Sequence, residues 1–103
     1  GTAQFDAALA AMSSYDFGQD PAHVRRFERE VPLAAATKAG AADAEQKMLK
    51  VLQSQAPLGA KDAICRQLAI FGSSRSEPVL TAMLKNQDTE AMARYALHGL
   101  HAK

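Results

Sequence analysis

This 103-residue sequence predicts an all-α fold, an α-α superhelix of about three antiparallel helix hairpins stacked side by side, six helices in one domain over 1–103. Three observations lead there. Composition is rich in alanine and poor in β-branched residues, apolar side chains recur at helical spacing in six segments, and a sequence pattern returns after 28 residues.

Alanine occupies 22 positions, whereas Val, Ile and Thr together fill ten. Alanine is the best helix former, and β-branched residues are what strands prefer, so the balance favours helix. Hydrophobic residues make up 48% of the chain, enough for one contiguous core in a domain of this length. Net charge is +1, from twelve basic and eleven acidic residues, without the basic excess of a nucleic-acid binder. No apolar run is long enough to span a bilayer, so membrane insertion is not expected. A single cysteine, Cys65, excludes an internal disulfide. The chain opens Gly-Thr-Ala without an initiator Met. That start fits a chain freed of a signal peptide, which would place it in the periplasm or cell envelope. It equally fits a fragment of a longer, cytoplasmic chain.

The helices follow from periodicity and punctuation. The first covers about Ala3 to Ser13, with Phe5, Ala8, Leu9 and Met12 on one face. Tyr15 to Gln19 forms a loop. Asp20 then offers an acceptor to free N–H groups, and Pro21 suits the first helical position. The second helix turns Val24, Phe27 and Val31 inward. Pro32 should kink or end it, and Gly40 is its latest stop. The third runs from about Ala42 to Gln55 with Met48, Leu49, Val51 and Leu52 as its stripe. Ala56-Pro57-Leu58-Gly59 breaks the chain. The fourth spans about Ala60 to Phe71, burying Ile64, Leu68 and Phe71, and Gly72 stops it. After a polar turn over Ser73–Ser76, a short fifth helix starts near Glu77-Pro78 with Val79, Leu80, Met83 and Leu84. Asn86-Gln87-Asp88 turns the chain and Asp88 or Thr89 caps the sixth helix. Its inward set is Met92 or Ala93, then Ala96, Leu97 and Leu100, where it ends. Connections this short imply antiparallel neighbours.

Shifting the fourth helix by 28 residues lays it on the sixth. Asp62 falls on Glu90, Arg66 on Arg94, and Leu68-Ala69 on Ala96-Leu97. Each copy follows a helix ending in an apolar pair, Val51-Leu52 and Met83-Leu84, and a polar turn. Self-similarity at such a period marks stacked repeats.

Pro78, Leu80, Met83-Leu84, Asp88 and Ala96-Leu97 resemble the HEAT-repeat pattern. In that pattern a proline opens the first helix, a leucine pair ends it, Asp stands in the turn, and small residues follow in the second helix. The stretch from Cys65-Arg66-Gln67-Leu68 through Ala93-Arg94-Tyr95-Ala96-Leu97 is similar to a HEAT-like domain found in bacterial proteins of unassigned role. The resemblance covers about Asp43 to Leu100. One position departs from it: the family's arginine comes four residues after the turn Asp, where this chain has Met92, and Arg94 lies two further on. The resemblance implies a right-handed stack with second helices on the concave side, serving as a scaffold or peptide-binding surface.

Candidate sites follow. Arg66 and Arg94 would stand one above the other on neighbouring second helices, and guanidinium forks suit carboxylates or phosphates, with acidic side chains or a C-terminal carboxylate the favoured ligands. Asp62 and Glu90, each four residues earlier, equally predict solvated intrahelical pairs. Tyr95 adds a polar-tipped aromatic of the kind enriched at interaction hot spots, or a hydroxyl bridging two hairpins. His98 and His101 share a helix face but fall short of the three or four ligands that zinc needs. Cys65 reads as core, since nothing in the spacing supplies a base or a lowered pKa. Arg25, Arg26 and Arg29, interleaved with Glu28 and Glu30, read as a solvated face. Asp16-Phe17-Gly18 spells a kinase tripeptide with none of its companions. The expectation is a non-catalytic domain, without cofactor or metal, that binds a protein or acidic peptide through Arg66, Arg94 and Tyr95. Self-association through the ends of the stack would be compatible with it. The alternatives are an enzyme or metal protein using Cys65 with His98 or His101, and a DNA-binding helical array.

Overall fold

The computed structural model describes residues 2–103. They form six α-helices and no strand: α1 (Thr2–Met12), α2 (Ala22–Ala34), α3 (Lys38–Leu52), α4 (Leu58–Phe71), α5 (Glu77–Met83) and α6 (Glu90–His101). A single 3₁₀ turn over Ser74–Ser76 leads into α5.

Consecutive helices pair as three hairpins, α1–α2, α3–α4 and α5–α6. Phe5 of α1 meets Phe27 of α2 with ring centroids 6.2 Å apart in a tilted arrangement, within the favourable range for aromatic pairs. On the first-helix side, Lys47 of α3 lies 2.7 Å from Asp6 of α1 and 2.8 Å from Asp43 on its own helix. On the second-helix side, α4 packs most extensively on α6. Matching positions show that these two run parallel: Arg66 meets Tyr95, Ala69 meets Gly99, and Gly72 meets Leu100. In a closed up-and-down bundle, helices two apart lie diagonally across the core. Here they are immediate neighbours, as stacked hairpins require. Gly99 allows that approach, since a Cβ there would lie 2.5 Å from the Ala69 carbonyl oxygen.

The core follows the expected faces. Phe5, Ala8, Leu9, Met12, Phe27, Val31, Met48, Leu52, Ile64, Leu68 and Leu80 are buried, and both Met92 and Ala93 turn inward with Ala96. Val24, Leu49, Val51, Phe71, Leu97 and Leu100 pack against this cluster half-buried.

Helix boundaries required four corrections. Pro32 does not end α2, which continues to Ala34. Gly40 belongs to the first turn of α3, which starts at Lys38 instead of about Ala42. The Thr37 hydroxyl caps it by accepting from the Gly40 N–H at 3.0 Å. Glycine is needed because a Cβ at residue 40 would stand 2.2 Å from the Ala34 carbonyl oxygen, where α2 turns into α3. Likewise α4 begins at Leu58 and includes Gly59. Thr89 precedes α6 without capping it. Its hydroxyl instead donates to the Met83 carbonyl at 2.7 Å, tying α6 back to the end of α5.

Candidate functional site

The exposed face of the second helices carries the residues singled out by the repeat. Arg66 and Arg94 occupy equivalent positions on the parallel helices α4 and α6, and both side chains are exposed. Arg66 Nε donates to Asp62 Oδ2 at 3.0 Å, and Arg94 donates to Glu90 Oε2 through its terminal nitrogen Nη2. The intrahelical pairs anticipated from the four-residue spacing therefore form. Asp62 raises the Arg66 pKa further, so that guanidinium stays charged at any ordinary pH.

Arg66 also reaches across the hairpin boundary. Its guanidinium carbon lies 5.4 Å from the centre of the Tyr95 ring, within range for a cation–π contact. Tyr95 stays 53% exposed, so the contact packs one face of the ring and leaves the rest to solvent. On α6, Glu90, Ala91, Arg94, Tyr95 and His98 line a shallow open depression. The structure thus brings Arg66 and Tyr95 together, and Arg94 lines the same depression as Tyr95, its neighbour in sequence.

The other candidates lie elsewhere. Cys65 is fully buried in the core. Burial pushes its thiol up to about 12, with a smaller push from the Asp62 charge, so it is held as the unreactive thiol. His101 Nε2 lies 3.4 Å from Glu77 Oε1 of α5, while His98 faces the depression beside Tyr95. No group of three or more His, Cys, Asp or Glu side chains converges on a point among the described residues. Arg25 and Arg29 are exposed and Arg26 is half-buried, alongside exposed Glu28.

Two polar residues have roles that their motifs did not announce. Asp16, from the tripeptide dismissed as accidental, accepts from its neighbour Phe17 N–H at 2.9 Å and from Gly59 N–H at 3.0 Å. It therefore caps α4 from 43 residues away, at an end where Pro57 has no capping side chain to offer. A Cβ at residue 59 would lie 2.6 Å from the Phe17 nitrogen, so glycine is what admits the loop. Glu45 is the second. It is 4% exposed on α3, and its carboxylate accepts from Ser73 N–H at 2.8 Å, Ser73 Oγ at 2.7 Å and Ser76 Oγ at 2.6 Å. Burial by itself would raise its pKa. The bonds from Ser76 and Ser73, helped by the Arg75 charge, outweigh that and hold it below its ordinary value. A faint signal exists: Glu45 falls one residue after Ala44 on the buried side of α3, flanked by apolar positions at helical spacing.

Neither a family model nor a curated protein nor a solved structure matches the chain. No helix among the described residues is long and apolar enough to cross a membrane.

Proposed function

We propose that the chain is a non-catalytic, HEAT-like binding domain whose second-helix face takes an acidic peptide or protein segment through Arg66, Arg94 and Tyr95. One observation carries the reading: the Arg66 guanidinium lies over an exposed Tyr95 ring and joins two hairpins on a solvent-facing surface. A buried side chain would contribute to packing alone; these three are open to a partner.

The acidic neighbours do not close the site. Arg66 contacts Asp62 through Nε, and a guanidinium carries five N–H donors, so its two terminal nitrogens remain open to a second carboxylate. An exposed pair four residues apart on a helix is worth about 0.3–0.5 kcal/mol, so a ligand that displaces Asp62 or Glu90 gives up little. Stacking on Tyr95 restricts the Arg66 rotamers before binding, which reduces the entropy lost when a partner arrives. Tyr95 presents a rigid ring with a polar tip, suited to packing on an apolar residue next to the acidic one.

An array of synthetic peptides of acidic, neutral and basic composition, blocked at both ends, tests this. The wild-type domain should retain acidic members selectively, and the Arg66→Ala/Arg94→Ala variant should lose at least about tenfold in affinity at unchanged fold. Retention that ignores peptide charge, or affinity untouched in the double variant, would overturn the reading.

A further inference from the structure

A different surface carries a second site. Between α3 and the turn that joins α4 to α5 lie two adjoining cavities of about 340 and 310 Å³ that share Ala42, Glu45 and Arg75, so they form one groove. Each is at the lower end of the size range of ligand pockets. Exposed Lys38 and Arg75 line the first cavity together with Ala41, Ala42, Phe71 and Ser74. The second continues along α3 past Gln46 and Leu49.

The charges of this groove differ from those of the second-helix face. Arg66 and Arg94 each hold a carboxylate; Lys38 and Arg75 have none within ion-pair distance among the described residues. The one acid in the groove is Glu45, whose oxygens are both hydrogen-bonded by Ser73 and Ser76 and whose charge is felt by Arg75, so that with Lys38 the groove keeps one net positive charge. Those bonds also prepare the site. They hold the residue two before Arg75 and the residue directly after it, so the backbone that presents the guanidinium is fixed before any ligand arrives. A buried carboxylate is an expensive way to stabilise a turn, since an apolar side chain of similar size often does as well. Positioning Arg75 gives it a further use.

We propose that this groove binds the free carboxyl terminus of a partner polypeptide whose last residue is apolar. Arg75 and Lys38 would take the terminal carboxylate through charge-assisted hydrogen bonds. The final side chain would rest on Phe71, Ala41 and Ala42. The Gln46 amide, both donor and acceptor, would pair with the preceding peptide unit where the groove runs on toward Leu49. That extension along α3 favours a chain end over a free small acid, which would fill the first cavity alone.

Fluorescence polarisation on N-terminally labelled pentapeptides tests it. One set ends in leucine or phenylalanine as the free acid and a matched set is C-terminally amidated. The free acids should bind at least about tenfold more tightly, and Arg75→Ala or Lys38→Ala should remove that preference. Arg66→Ala/Arg94→Ala should leave it intact, so failure here is separate from failure of the second-helix reading. Equal binding of acid and amide, or no binding by any member, would overturn the proposal. So would isocaproate competing as well as the leucine peptide does, because the ligand would then be a small acid.

Discussion

Replacing Glu45 tests how a buried charge ties the last two hairpins together. Glu45→Ala removes three hydrogen bonds to a charged acceptor, each worth about 1.5–3 kcal/mol. It leaves the Ser76 hydroxyl, fully buried, without its acceptor, which costs about 1–3 kcal/mol more. Against this, the protein no longer holds a carboxylate away from water, a relief of several kcal/mol. The expected net loss is at least about 2 kcal/mol, a large share of the roughly 5–15 kcal/mol that a domain of this size typically has. Glu45→Gln keeps the shape and gives up the charge, so about 1–2 kcal/mol should go. Urea unfolding followed by circular dichroism measures both. The Gln variant adds a pH test. Because the folded-state pKa is depressed below the ordinary 4.5, the ionised carboxylate contributes fully above that value. The contribution disappears as pH falls through the lower folded value. The gap between wild type and Glu45→Gln should therefore be widest well above the ordinary carboxylate range, at about pH 7, and should shrink progressively as pH falls below that range. A gap that stays constant through that fall, or a loss below about 1 kcal/mol in Glu45→Ala, would refute the account.

Three further outcomes are expected. Asp16→Ala should cost about 1 kcal/mol by uncapping α4, and in a Gly59→Ala background, where the loop is already displaced, it should cost almost nothing. Additive losses in that double-mutant cycle would count against the long-range cap. Gly99→Ala should destabilise by about 1–3 kcal/mol, because its Cβ would fall 2.6 Å from the Ala69 Cβ. A neutral result in thermal melts would mean that α4 and α6 are not in close contact. Cys65, with its thiol pushed up to about 12, should resist a disulfide reagent in mildly alkaline buffer and react only once denaturant opens the core. Rapid labelling of the native protein would contradict its burial.

The helices and their inward faces were legible because both depend on near neighbours. Phe5, Ala8, Leu9 and Met12 share one side of α1 by the geometry of 3.6 residues per turn, whatever they pack against. The Asp62–Arg66 and Glu90–Arg94 pairs were legible for the same reason, lying one turn apart. The 28-residue offset correctly placed α4 beside α6, since equivalent helices of consecutive hairpins meet through equivalent faces.

What depended on distant chain segments was not legible. Gly40 and Gly59 read as breakers, yet each lies inside a helix, because what they must avoid is the end of α2 in one case and the loop at Asp16 in the other. Thr89 has the chemistry of a cap, but the Met83 carbonyl comes within its reach only when α5 folds back on α6. Glu45 lies 28 and 31 residues from the serines that hold it. A glutamate on a helix is usually solvated, and only the approach of the α4–α5 turn makes burying this one favourable. The order and amphipathic sides of the helices were thus settled locally, by backbone geometry and the wish of apolar side chains to leave water. Which polar groups meet inside, and which cations remain unpaired along the α3 groove, was decided when the hairpins came together.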